Sequence, residues 1–162
     1  MIIRPLISKD KKQLMALIKK SGLFDELEIQ VAVEVVNEAF QQHEKDEYQI
    51  FCVINDAEAV IGYICFGPIS LTEDCYAIHW IAVDKSSSRQ GVGGKLLGFA
   101  EELIIKKKVR RIYLDTSSTP GYAPARSFYE KHGYQLVCTL ESFYRKGDHK
   151  MIFMKDLRNG KK

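Results

Sequence analysis

The sequence predicts an α+β fold, with seven strands and four helices in the order βααβββαβαββ around a mixed sheet. Three observations carry this reading. Apolar residues recur at helical spacing in separate segments. Short apolar runs of strand character gather in the middle of the chain, two of them joined by the polar turn Asn55-Asp56-Ala57-Glu58. A second hairpin signal, Lys146-Gly147-Asp148, lies near the C-terminus. The 162 residues suit a single domain, 1–162, large enough to bury a core of its own.

The elements follow in order. Ile2 to Leu6 reads as a first strand. Ser8 can cap a helix carrying Leu14, Leu17 and Ile18, which Gly22 ends. A second helix starts near Asp25, where Asp25 and Glu28 stand at capping-box spacing. Ile29, Val33, Val36 and Phe40 continue it; the β-branched content would also suit a strand, but the length and the 3.6 period favour helix. Tyr48–Ile54 and Ala59–Phe66 form a hairpin that Gly67-Pro68 breaks. Cys75 to Val83, "CYAIHWIAV", is apolar enough for a central strand. After a polar loop and three glycines, Val92, Leu96, Ala100, Leu103 and Ile104 make one apolar helical stripe. Arg111 to Asp115 is a strand, and Pro124 opens a short helix through Lys131 that Gly133 ends. Tyr134–Phe143 and Lys150–Lys155 are the closing strands.

Composition excludes several classes. A net charge of +3, from 24 basic and 21 acidic residues, is too small for a nucleic-acid binder, and the basic residues form no long patch. Lys106-Lys107-Lys108 sits at an expected helix end, where cations suit the dipole. Met1-Ile2-Ile3-Arg4-Pro5 is too short an apolar run for a secretory leader, and no segment approaches membrane-spanning length. Cys52, Cys65, Cys75 and Cys138 include no C-x-x-C spacing, so buried thiols are expected rather than disulfides or a metal site. The expected setting is the cytoplasm, without nucleic-acid or membrane partners.

The stretch "SSSRQGVGGKLLGF" carries the chemistry. Consecutive backbone N–H groups at a helix N-terminus bind anions, above all phosphates, and glycine lets the anion approach. Arg89 and Lys95 would add charge. A P-loop fails, because Arg89 takes its first glycine position and Leu96 its Ser/Thr. A dinucleotide fingerprint fails at Leu96. A glycine-rich turn without a ligand is the plain alternative.

"WIAVDKSSSRQGVGGKLL" resembles the acetyl-CoA motif of the GCN5-related N-acetyltransferase (GNAT) family, an apolar strand ending in Ala-Val, a loop, then [QR]-x-x-G-x-[GA] opening a helix. Ser88 stands at the first motif position, with Arg89 and Gln90 directly after it. A second stretch, "YAPARSFYEKHGYQ", is similar to the family signature A-x-x-[LF]-Y-x-x-x-G-[FY], matched by Ala125, Phe128, Tyr129, Gly133 and Tyr134. Tyr122 replaces the Asn often found three residues before that alanine. The resemblance spans essentially the whole chain. It implies a GNAT-like fold with a mostly antiparallel sheet and acetyl-CoA as co-substrate. It also implies that Arg89, Gln90, Gly91, Val92, Gly93 and Gly94 hold the coenzyme's diphosphate, that Ile81, Ala82 and Val83 pair with its pantetheine arm, and that Ala125 and Phe128 line it.

In amide formation an amine attacks the thioester and a thiolate leaves. A phenol, with pKa about 10, stays protonated at pH 7 and can give its proton to a thiolate whose conjugate acid has pKa about 8.5. Tyr129 is the candidate acid; as a lone residue it would read as a half-buried aromatic. A lysine-like amine is neutral in about one molecule in 2,500 at pH 7, so a base or desolvation must help. Some relatives use a Glu on the strand before the loop; here the strand reads Tyr76-Ala77-Ile78-His79-Trp80, and His79 is the candidate base. A core histidine bonded to backbone is the equal alternative, and Glu73 or Asp74 could act through water. A strand N–H near Ala82 or Val83 would polarise the thioester oxygen.

The acceptor, a small-molecule or peptide amine, would meet residues among Glu26, Glu34, Glu73, Asp74, Tyr76, Phe143, Tyr144 and Asp148. A homodimer is compatible with the sequence. The competing reading from another class is a catalytically inactive acyl-CoA-binding sensor or interaction module; a nucleotide-binding module fails on both fingerprints.

Overall fold

A computed structural model describes residues 1–22, 24–41, 48–88 and 90–160. Its strands are β1 (Ile2–Pro5), β2 (Gln49–Ile54), β3 (Val60–Pro68), β4 (Cys75–Val83), β5 (Arg111–Ser117), β6 (Gln135–Arg145) and β7 (Asp148–Asp156). Its longer helices are α1 (Lys11–Lys20), α2 (Glu26–Gln41), α3 (Val92–Lys106) and α4 (Ala123–Lys131), in the order the sequence predicts. The seven-stranded sheet runs β1-β2-β3-β4-β5-β7-β6. It is mixed and mostly antiparallel, with β4 and β5 parallel. Among the described residues no helix is long and apolar enough to cross a membrane.

The chain forms two compact units, Met1–Pro68 with Ile78–Leu103, and Ile69–Ala77 with Ile104–Lys162. Strand β4 contributes to both: Cys75–Ala77 pairs with Arg111–Tyr113, and Ile78–Val83 belongs to the first unit.

In the first unit, α1 and α2 bury one face of β2 and β3. Leu14, Leu17 and Ile18 give α1 its apolar stripe, and Val36 of α2 joins Cys52, Tyr63 and Cys65 in the same core. The β-branched α2 is a helix because its first turn is closed at both ends of a capping box. The Asp25 amide donates to Glu28 at 2.8 Å and the Glu28 amide to Asp25 at 2.9 Å. Gly62 of β3 is required by contact: a Cβ there would lie 3.2 Å from the Ala82 carbonyl oxygen and from Leu96, and 3.3 Å from Val92. This close approach seats the start of α3 against β3 and β4. Inside the core, the Tyr63 hydroxyl has no hydrogen-bond partner among the described residues, and burial pushes its pKa up.

Where the sequence places a Ser8 cap, the structure has a 3-10 turn over Ser8–Asp10. Asp10 is 1% exposed and accepts from Arg4 Nη1 at 2.5 Å, Arg4 Nη2 at 2.9 Å and the Ile7 amide at 3.1 Å. The Arg4 hydrogen bonds, the largest cause, hold the Asp10 carboxyl below its ordinary pKa against the opposing effect of burial. Removing one partner strands a buried charge. Arg4→Ala is therefore expected to cost about 3 kcal/mol at pH 7. The folded carboxyl titrates lower than the unfolded one, so this stabilisation is present above about pH 4 and is lost as pH falls through the folded value. Urea midpoints of the two proteins should differ at pH 7 and draw together as pH falls below about 4; a gap that does not narrow in acid would remove the pairing as its source.

In the second unit, β7 is central. It pairs with β5 from Arg111↔Asp156 to Ser117↔Lys150 and with β6 from Gln135↔Met154 to Arg145↔Asp148. Gly147, at φ +81°, makes the tight hairpin turn the sequence signals. All eleven β6 residues are exposed.

Candidate active site

The predicted residues fall in both units. In the first unit, Ala82 is buried and Ile81 and Val83 are half-buried as β4 ends. The Asp84 amide then donates to the Ile61 carbonyl at 2.9 Å, anchoring the chain to β3. Asp84 accepts from the Ser86 amide at 2.9 Å and the Ser86 hydroxyl at 2.5 Å, with the hydroxyl bond the largest cause of its lowered pKa. The Ser87 and Ser88 amides donate to Asp84 and Lys85 carbonyls at 2.9 and 3.3 Å. The amides of Ser86–Ser88 are thus taken up within the turn and do not face a ligand.

The next residues differ. Gly91 has φ +74°, and a Cβ there would meet nothing within 4 Å. The left-handed conformation favours glycine, and the space in front of it is open. The first helical bond runs from the Lys95 amide to the Gly91 carbonyl, 3.0 Å. Val92, Gly93 and Gly94 therefore lie in the first turn, whose N–H groups have no acceptor within the helix. Gln90 is exposed, with its side-chain amide 3.4 Å from the Ser86 carbonyl. Arg89 lies outside the described residues. Among the described residues of the predicted set, the open-fronted Gly91 and the first-turn amides of Val92, Gly93 and Gly94 are the donors that would suit a diphosphate.

His79, also in the first unit, is exposed on β4. That rules out the core-histidine alternative. Its ring meets the Tyr48 ring edge-on at 5.3 Å. The neighbouring Trp80 is half-buried and packs edge-on against Phe24 at 5.2 Å.

In the second unit, Pro124 stands in the first turn of α4 and Gly133, at φ +85°, follows its end. Tyr129 is buried, with its ring 5.5 Å from Phe128, 6.1 Å from Tyr134 and 6.2 Å from Phe153. Burial first, and the Asp115 charge second, push its phenol up to about 12. It holds its proton throughout the physiological range. Ala125 and Phe128 are half-buried on the same helix.

Sequence reasoning missed how α4 is fixed. Arg126 Nη1 donates to the Ser117 and Thr119 carbonyls at 2.7 and 2.9 Å, tying α4 to the end of β5. Asp148, suggested as an acceptor contact, is 4% exposed and accepts from the Ser117 hydroxyl at 2.6 Å, so it braces the β5–β7 pair. Phe143 and Tyr144 are exposed; the Tyr144 hydroxyl donates to Asp115 at 3.0 Å, and Lys150 lies 3.2 Å from the same carboxylate. Cys52, Cys65 and Cys75 are buried, and burial pushes the Cys52 thiol up to about 12; Cys138 is exposed.

A glycine turn thus opens α3 after β4 and its 3-10 turn, and a buried tyrosine stands on the Pro-initiated α4. The sequence profile of the Acetyltransferase (GNAT) family matches residues 15–134, and the chain belongs to that family. A crystal structure from Desulfovibrio desulfuricans assigned to the GNAT acetyltransferases superposes with TM-score 0.89 at 30% identity, covering 96% of this chain and 98% of that one. The PaiA N-acetyltransferase of Thermoplasma acidophilum, crystallised in complex with coenzyme A, matches with TM-score 0.74 at 20% identity, covering 96% of this chain and 98% of that one. The uncharacterized protein YxbD of Bacillus subtilis (strain 168) is 29% identical over 120 residues, 66% of this chain and 71% of YxbD.

Proposed function

We propose that the protein is an N-acetyltransferase that moves the acetyl group of acetyl-CoA to a primary amine by direct attack, with residues 1–162 acting as one domain in the cytoplasm. The observation that carries the reading is the Gly91 turn, whose positive φ and open front present the first amides of α3 to an anion. Acetyl-CoA supplies the activated acetyl thioester. Gly91 to Gly94 hold its diphosphate through backbone N–H groups, and Arg89 and Gln90 belong to the same sequence motif. The strand edge at Ile81–Val83 takes the pantetheine arm, and an N–H at Ala82 or Val83 polarises the thioester oxygen. Ala125 and Phe128 shape the α4 contribution.

His79 accepts the proton of the acceptor ammonium, freeing the nitrogen lone pair. As the C–N bond forms and the C–S bond breaks, the nitrogen loses its second proton to water, Tyr129 gives its proton to the departing thiolate, and the phenolate is reprotonated from solvent. Exposure suits His79 for exchange with water, and burial suits Tyr129 for holding its proton.

Free-thiol release from acetyl-CoA across a panel of amines tests the reading. Amine-dependent release is expected; coenzyme binding without it would establish the inactive sensor instead. His79→Ala should erase the acidic limb of the pH–rate profile, because protonated imidazole cannot accept a proton. A limb that persists assigns the base elsewhere.

A further inference from the structure

Among the described residues, strand β6 is an edge of the sheet, paired with β7 along one side. All eleven of its residues, Gln135–Arg145, are exposed. Leu136, Val137, Leu140, Phe143 and Tyr144 are large apolar side chains left 38 to 54% exposed. The strand contains no lysine and no proline, and its charged residues are Glu141 and Arg145. A long apolar edge without those guards is a template for another chain. The opposite edge of the sheet shows the contrast. Strand β1 is four residues long and ends in Pro5, which has no N–H to offer.

The order of residues along β6 says what covers it. In a two-fold contact between identical strands, residue i of one copy faces j of the other, and j faces i. Antiparallel strands that overlap over the full length of β6 place the axis at its middle residue, Leu140. Leu136 then stands opposite Tyr144, Val137 opposite Phe143, and Leu140 opposite itself. Each exposed apolar residue of the strand so meets another. The polar residues also match: Gln135 faces Arg145, Cys138 faces Ser142 and Thr139 faces Glu141, so neither charge meets a like charge directly opposite.

The aromatic pair is braced from within its own unit. Lys150 Nζ lies 5.0 Å over the Phe143 ring, and the Tyr144 hydroxyl donates to Asp115 at 3.0 Å, so contact orders little that is not already held. Strand β6 is bulged against β7 at Val137 and again between Leu140 and Arg145, where Ser142 takes φ +49°. Side chains across the axis, rather than one unbroken hydrogen-bond ladder, therefore carry the contact. A two-fold pair uses the edge of both copies, so assembly stops at two.

We propose that a second copy of this chain covers β6, in an antiparallel two-fold pair centred on Leu140. Eleven residues a side is roughly half the 20–30 of a standard interface. The dimer therefore forms reversibly and separates on dilution.

Sedimentation equilibrium of the full chain from about 1 to about 500 µM, a range that covers weak complexes, should show the mass rising from 18.5 kDa towards twice that. Leu140→Lys takes two leucines out of the contact and sets two ammonium groups across the axis. It should raise the dissociation constant at least about tenfold. Val137→Lys serves as a second variant if Leu140→Lys does not fold, judged by melting temperature in dilute solution. A thiol pair tests the register. Leu140→Cys, in a Cys138→Ser background, brings two Cα atoms within the about 4.4–6.8 Å that a disulfide spans, so oxidised glutathione should link it into a covalent dimer. In the natural protein the two Cys138 side chains lie about 13 Å out of step along the strands and should stay unlinked. A mass of 18.5 kDa at every concentration overturns the proposal and leaves the edge to a different chain. A dimer unchanged by a folded lysine variant overturns it too. So does a faster link through natural Cys138 than through Leu140→Cys, which would move the axis.

Discussion

Tyr129→Phe is expected to lower kcat by about 100-fold or more, the scale of a lost general acid, while acetyl-CoA affinity stays within about threefold. Phenylalanine keeps the ring contacts with Phe128, Tyr134 and Phe153, so the helix and its cluster should persist. What disappears is the one proton held ready for the sulfur. A phenol raised to about 12 is a weaker acid than the thiol it protonates. Complete transfer would be uphill in the ground state, so the proton is useful only as negative charge builds on the sulfur. Two consequences separate this role from a structural one. Rates should show no basic limb from Tyr129 below about pH 10, since the group does not ionise there. A donor with a much more acidic thiol, such as an aryl thioacetate, leaves without help, so the gap between the natural protein and Tyr129→Phe should shrink with it. A gap of equal size for both donors, or an unaltered kcat, removes Tyr129 as the acid. Asp115 enters through its charge: it favours the protonated phenol, while Lys150 and the Tyr144 hydroxyl hold the carboxylate in place.

Local signals in the sequence were decisive wherever the cause was local. The Asp25/Glu28 spacing appears as a reciprocal pair of hydrogen bonds, and it makes a helix of a segment whose β-branched residues would also suit a strand. Gly147 makes the final hairpin and Pro124 opens α4 for the same reason, that each needs only its immediate neighbours. Ser8 was misjudged because the partner that organises that turn, Arg4 with Asp10, comes from the preceding strand. His79 was undecidable, since strand alternation alone cannot say which positions a layer covers; its exposure is a tertiary fact. A cavity in the first unit was invisible for a stronger reason. Leu6, Phe40 and Tyr48, from three separate parts of the chain, line a space of about 340 Å³, and nothing in the local pattern of any one records it. Arg126 likewise looks like an ordinary helical cation until its carbonyl acceptors at Ser117 and Thr119 are brought to it.

Gly91→Asp should raise the dissociation constant for coenzyme A by at least about 100-fold, and Gly91→Asn by less than about tenfold. Both side chains tolerate the left-handed backbone better than other non-glycine residues, so the strain each adds at φ +74° should be similar. Both place a Cβ into open space, so neither needs the surroundings to move. The two variants differ in charge alone. A carboxylate about 4 Å from a phosphate is repelled by about 4 kcal/mol near a protein surface, against about 1 kcal/mol in bulk water, and added salt should narrow the difference. Matched melting temperatures for Asp and Asn would show that the fold is equally affected. S-acetylpantetheine, which has no diphosphate, should bind both variants alike. Equal coenzyme A affinity in the Asp and Asn proteins would mean that no phosphate sits before these amides. The opening of α3 would then be a turn required only by the close approach of Gly62 to Val92 and Leu96.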